Sequence, residues 1–250
     1  MSALANVPAL EVRGVTVWFE GQDRPAVEDV SFSLREAQIA VLIGPNGCGK
    51  STVLKAILGL VPFAGDIRIG GVPAARARRQ IGYVPQRLAF DPTLPLTVRE
   101  AIRMPLLGVR TPESEAAVKH YVDVFGIADL LDKRLGRLSG GQLKRVLIVR
   151  AMVTGPRLLL LDEPEAGVDI GGEQTLYDLL GRLVSHHGLT ALVCSHDLDI
   201  VFGHADVVLC LNRRLQCTGA PAEVLTPEAL TRLYGPTTAI HRHRPGGTAR

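Results

Sequence analysis

Apolar residues recur along this chain in three rhythms. From Ala9 to Phe19 and from Val30 to Leu34 they alternate with polar ones, the period of strands with one covered face. Gln38 to Ile43, Leu158 to Leu161, Thr190 to Cys194 and Val207 to Leu211 hold continuous apolar runs, as expected of parallel strands buried on both faces. Asp66 to Ile69 and Gln80 to Val84 predict two more strands. Gly49 to Leu58 predicts a helix straight after a glycine loop. Glu113 to Phe125 and Gly141 to Met152 space their apolar residues by three and four, which predicts helices. Between about 87 and 154 strand-like runs are missing, so this stretch reads as a helical subdomain inserted into a sheet domain. The alternation of strands and helices gives an α/β class with a parallel sheet. Residues 236–250 carry Pro, Gly, His and Arg and almost nothing apolar, and are expected to be poorly ordered.

A length of 250 residues fits one large domain, or one core with a subdomain. With 46% hydrophobic and 21% charged residues, global disorder is excluded. The slightly positive mean hydropathy raises the question of a membrane span. A spanning helix needs about 20 apolar residues in a row, and the apolar runs here are strand-length and bounded by charges or glycines. The first residues show neither a basic region nor an apolar h-region, so no signal peptide is expected. A net charge of +3 is too weak to argue for a nucleic-acid partner. Cys48, Cys194, Cys210 and Cys217 lack CxxC spacing and are expected as reduced, buried thiols.

Chemistry concentrates at two places. Gly44-Pro45-Asn46-Gly47-Cys48-Gly49-Lys50-Ser51-Thr52 fits G-x-x-x-x-G-K-[ST] between a predicted strand and a predicted helix. Glycines let backbone N–H groups cradle phosphate oxygens, and the helix N-terminus adds partial positive charge. Lys50 would supply a point charge to the β- and γ-phosphates of a nucleotide, and the Ser51 hydroxyl a hard oxygen for Mg²⁺. The bland alternative, a glycine turn with a chance Gly-Lys-Ser, does not account for the flanking elements. At the end of the Leu158 strand stand Asp162 and Glu163. Open α/β sheets bind ligands at such carboxyl ends. Asp162 would hold Mg²⁺ and Glu163 would act as general base on the attacking water. Alone, two acids after a strand could be merely solvated; beside a phosphate loop they complete a nucleoside triphosphatase.

Leu138-Ser139-Gly140-Gly141-Gln142, opening a helix ahead of the Leu158 strand, resembles the signature of the ABC ATPases. By itself it would read as an ordinary capped helix. Gln86 in Tyr83-Val84-Pro85-Gln86 resembles that family's Q-loop, Gly167-Val168-Asp169 its D-loop, and His196 in Cys194-Ser195-His196-Asp197 its switch histidine. The resemblance spans about residues 9–235. It implies a RecA-like P-loop NTPase core with a parallel sheet, an antiparallel β subdomain and the inserted helical subdomain. It also implies a head-to-tail homodimer that sandwiches ATP between the glycine loop of one copy and Ser139, Gly140, Gly141 and Gln142 of the other. Gln86 would touch Mg²⁺, His196 would contact the γ-phosphate, and Asp169 would lie at the dimer seam. The family stacks adenine on an aromatic residue. Phe19 aligns better than its neighbour Trp18, and core filling is the alternative for either.

Within the family, the 86 residues from Thr52 to Arg137 leave no room for a long coiled-coil arm, and there is one cassette with no fused span. Leu94-Pro95-Leu96-Thr97-Val98-Arg99-Glu100 and Glu163-Pro164-Glu165-Ala166-Gly167-Val168-Asp169 resemble the zinc and manganese importer ATPases, closest to the zinc branch. That implies a subunit at the cytoplasmic face of the membrane, an integral permease docked near Gln86 to Met104, and a periplasmic or surface metal-binding protein acting indirectly. Manganese, iron or a metal chelate as cargo, or a soluble ABC ATPase, are the alternatives. His241 and His243 form an HxH in the tail, short of the four ligands of a tight zinc site. Two residues depart from the family pattern. Glu165 would either raise a neighbouring pKa or face solvent, and Lys144 stands where glutamine is frequent.

Overall fold

A computed structural model describes residues 7–87, 91, 93–166 and 170–235; within 170–175 and 186–187 it describes only the helix path. Asp169, His241 and His243 therefore lie outside the described residues, as does the tail 236–250.

Among the described residues, ten strands and eight α-helices follow one another. The strands are β1 (Leu10–Val17), β2 (Val27–Leu34), β3 (Ile39–Ile43), β4 (Ala64–Ile69), β5 (Val72–Pro73), β6 (Ile81–Val84), β7 (Leu158–Asp162), β8 (Thr190–Cys194), β9 (Val207–Asn212) and β10 (Arg214–Gly219). The helices are α1 (Lys50–Ile57), α2 (Val98–Arg103), α3 (Pro112–Val124), α4 (Gly140–Met152), α5 (Ile170–His187), α6 (Leu198–His204), α7 (Pro221–Val224) and α8 (Pro227–Tyr234). They build two sheets. One is antiparallel, in the order β2-β1-β4-β5; the other runs β10-β9-β3-β8-β7-β6 and is parallel except at its β10 edge.

The continuous apolar runs explain how the layers stack. β3, β7 and β8 are buried at every position, yet their side chains still alternate between faces. Ile39, Val41, Ile43, Leu159, Leu161, Ala191 and Val193 join the helices α2 to α5 in one core. Ala40, Leu42, Leu158, Leu160, Leu192 and Cys194 join α1 and the antiparallel sheet in the other. The four leucines of β7 thus divide two and two, each contributing roughly 1.5–3 kcal/mol by burial. The helical segment between β6 and β7 shares its core with the sheet: Val98, Ile102, Val118, Val122 and Ile148 belong to the same cluster as Val41 and Leu161.

Helix starts follow their caps. Thr97 caps α2 with Glu100, Thr111 caps α3 with Ser114, and Ser139 caps α4 with Gln142, each as a reciprocal box. α1 differs: its N-cap is Gly49, with no side-chain cap. One expectation is corrected. The antiparallel register places Cys210 opposite Cys217, with Cα atoms 5.0 Å apart, and the two form a disulfide instead of two thiols. Cross-strand proximity, which linear spacing does not reveal, brings them together. Cys48 and Cys194 are free and buried, as expected.

Candidate active site

Four neighbouring parallel strands, β3, β8, β7 and β6, point their carboxyl ends the same way. The sequence places a chemical group just past each end: Gly44 to Thr52 after β3, His196 after β8, Asp162 and Glu163 at β7, and Gln86 after β6. Register ties them together. Leu42 and Asp162 both pair with Cys194, and the Glu163 N–H donates to the Cys194 carbonyl at 3.0 Å.

The glycine loop needs its glycines. Gly47 and Gly49 have φ of 77° and 108°, the region where a Cβ is strained. A Cβ on Gly49 would lie 2.7 Å from Val27 Cγ2 and 2.8 Å from the Ala26 carbonyl. Without a side-chain cap, the first N–H groups of α1 are open to phosphate oxygens. Lys50 is only 6% exposed, and its Nζ donates to the carbonyls of Gly44 at 2.7 Å and Pro45 at 3.2 Å. The ammonium is thereby held over the cradle. Asn46 and Gly47 are exposed at its rim. Cys48 is buried, and burial pushes its thiol pKa up.

Ser51 Oγ donates to Asp162 Oδ1 at 3.0 Å. Two hard oxygens thus meet at the first turn of α1, a donor set that fits Mg²⁺. Burial, with Glu163 adding to it, holds the Asp162 carboxyl above the usual carboxylate range; Ser51, Lys55 and Lys50 oppose that rise. Gln86 Nε2 donates to Glu163 Oε2. Glu163 itself has φ of 46°, a left-handed conformation that costs a non-glycine residue roughly 1–3 kcal/mol. The bonds from its N–H to Cys194 and to its carbonyl from Ala166 hold it there.

Ser139 and Gly140 are exposed, and the recorded side-chain bonds of Ser139 and Gln142 join them only to each other. Helix α4 therefore presents its N-terminus outward. Trp18 and Phe19 follow the end of β1 and are 53% and 37% exposed, so core filling is overturned for both. The sequence left two residues without a role. Glu165 is buried, so it does not face solvent. Lys144 is buried too, and its Nζ donates to the carbonyls of Gln86, Pro85 and Glu163 at 2.9, 3.3 and 3.4 Å. Their departure from the family pattern was the only signal in the sequence.

The family profile described as ABC transporter matches residues 27–166. The chain is 39% identical over 238 residues to the zinc import ATP-binding protein ZnuC of Pseudomonas fluorescens strain Pf0-1, covering 94% of this chain and 86% of the relative. It is 42% identical over 226 residues to the protein of the same name from Yersinia enterocolitica, covering 88% and 85%. Among solved structures, cbiO1 from Clostridium perfringens, part of the ABC transporter complex cbiONQ, superposes with a TM-score of 0.77 at 28% identity, covering 90% of this chain and 93% of that one. An ATP binding subunit of an ABC transporter gives 0.76 at 28% identity, covering 86% and 91%.

Proposed function

The chain belongs to the ABC transporter family as an ATP-binding subunit, and from that premise we propose that it hydrolyses ATP to drive zinc import through a separate permease. One observation carries this reading: the glycine loop, Asp162, Glu163, Gln86 and His196 all follow adjacent strand ends, while the signature helix faces outward. Zinc as the cargo is supported by the zinc import relatives.

The chemistry follows from the donors. The Lys50 ammonium moves from the Gly44 and Pro45 carbonyls to the β- and γ-phosphates. Ser51 and Asp162 would hold Mg²⁺, with Gln86 beside them, and the bound ion would supply charge neutralisation at the phosphoryl oxygens. Glu163 accepts a proton from the attacking water as the water oxygen bonds to the γ-phosphorus. The bond from that phosphorus to the bridging oxygen breaks and ADP leaves. His196 contacts the γ-phosphate and fixes the water. The exposed N-terminus of α4 accepts the γ-phosphate of a second copy, so ATP closes a head-to-tail homodimer that buries both nucleotides. Asp169 lies at that seam and Phe19 under the adenine.

Docking to the permease uses a groove of about 880 Å³ beside the Q-loop, lined by Tyr83, Pro85, Pro105, Leu107 and Val109 among others. Leu107 is 78% exposed and Met104 45%, an apolar rim suited to a permease loop. No helix of the described residues is long and apolar enough to cross a membrane; the subunit sits at the cytoplasmic face through its permease, and a periplasmic metal-binding protein delivers the ion from the far side.

Glu163→Gln tests the reading. It keeps ATP binding and removes the base, so gel filtration with MgATP is expected to trap a dimer with no turnover. Ordinary turnover in that variant would overturn it.

A further inference from the structure

Behind the proposed nucleotide face lies a buried polar cluster that the mechanism leaves unused. Glu165 stands two residues past Glu163 and is 4% exposed. Its Oε1 accepts from Ser195 Oγ at 2.7 Å and its Oε2 from the Tyr177 hydroxyl at 3.0 Å. Ser195 Oγ accepts in turn from the Asp197 N–H at 3.1 Å. Oε1 also lies 3.7 Å from His196 Nδ1.

A carboxylate taken out of water is costly unless donors and a counter-charge compensate it. An apolar residue would fill this space without that cost. Two hydroxyls supply the donors here. Lys144 adds positive charge nearby: burial lowers its pKa, and Glu165, Asp162 and Glu163 oppose that fall. The His196 ring is more than half exposed and turns Nδ1 toward this carboxylate, with Nε2 across the ring.

Resting on the ATPase reading above, we propose that Glu165 is a positioning residue: it accepts a hydrogen bond from His196 Nδ1–H and so aims Nε2 at the γ-phosphate. A small turn of the ring brings 3.7 Å within hydrogen-bond range, and such contacts tighten when substrate binds. Second carboxylates orient histidines in this way in metal sites and in the serine-protease triad.

The test compares steady-state ATP hydrolysis by Glu165→Gln, Tyr177→Phe and His196→Ala with the unmodified chain. Glu165→Gln keeps the shape and one accepting oxygen but loses the charge that strengthens the bond, and its amide nitrogen donates to a hydroxyl where a carboxylate oxygen accepted from it. Its kcat is expected to fall about tenfold with KM for ATP unchanged, the cost of losing a carboxylate that orients a histidine. Tyr177→Phe removes a Glu165 partner without touching His196 and is expected to stay within about twofold in kcat. ¹⁵N spectra of His196 in the ATP-bound Glu163→Gln chain should place the proton on Nδ1, and adding Glu165→Gln should shift the tautomer. Unchanged kcat in Glu165→Gln, an unchanged tautomer, or an equal loss in Tyr177→Phe would overturn the proposal. If His196→Ala itself turns over normally, the reading of His196 fails as well; if His196→Ala is inactive and Glu165→Gln is normal, only the present inference fails.

Discussion

Replacing Gly49 by alanine puts a methyl group where the glycine loop meets the antiparallel sheet. Two costs add. The backbone at φ 108° is one that a side chain strains, worth roughly 1–2 kcal/mol. The new Cβ would also lie 2.7 Å from Val27 Cγ2 and 2.8 Å from the Ala26 carbonyl. The second contact is backbone, so the loop or β2 has to shift; overpacking of this kind costs about 1–3 kcal/mol. The sum, roughly 2–5 kcal/mol, is a large fraction of an ordinary folding free energy. Gly47 separates the terms. Its φ is 77°, and a Cβ there meets nothing within 4 Å, so Gly47→Ala carries the backbone strain alone. Urea unfolding of both variants without nucleotide is the assay. Gly49→Ala is expected to lose at least about 1 kcal/mol more than Gly47→Ala. Equal losses would refute the packing argument and the loop geometry with it.

Two further outcomes concern charge. The Asp162 carboxyl is held above its ordinary range by burial, so the folded state binds its proton more tightly than the unfolded chain does. Its contribution to stability is full below the unfolded pKa and is lost as pH rises through the folded one. At neutral pH the ionised group is a cost, so Asp162→Asn should raise Tm without nucleotide in differential scanning fluorimetry and weaken Mg²⁺-dependent ATP binding; a lower Tm would refute the sign. Lys50→Ala removes an ammonium held by Gly44 and Pro45. Fluorescent-nucleotide titration should show ATP affinity falling roughly tenfold to a hundredfold, the size of a lost charge-assisted contact, and unchanged affinity would remove Lys50 from the phosphate site.

How legible the molecule is from sequence varies with the range of the interactions. β3, β7 and β8 stand out because strands covered on both faces need uninterrupted apolar residues. α3 and α4 stand out because each runs 13 residues, long enough to show helical periodicity. α2 has six residues and too few turns to show it. The glycine loop and the acids after β7 are legible because phosphate chemistry ties them to contiguous residues. The Cys210–Cys217 pair is not, because only the β9–β10 register sets it. Glu165 shows the same limit. Its identity is plain in the sequence, but its burial depends on Tyr177 from α5 and Ser195 from the end of β8.

The most direct test of the central claim is growth of a host carrying Lys50→Ala in chelated medium, with single metals returned at low concentration. Impaired growth rescued by zinc alone is the predicted result. Rescue by manganese or iron instead, or no growth defect under chelation, would contradict zinc import driven by this subunit.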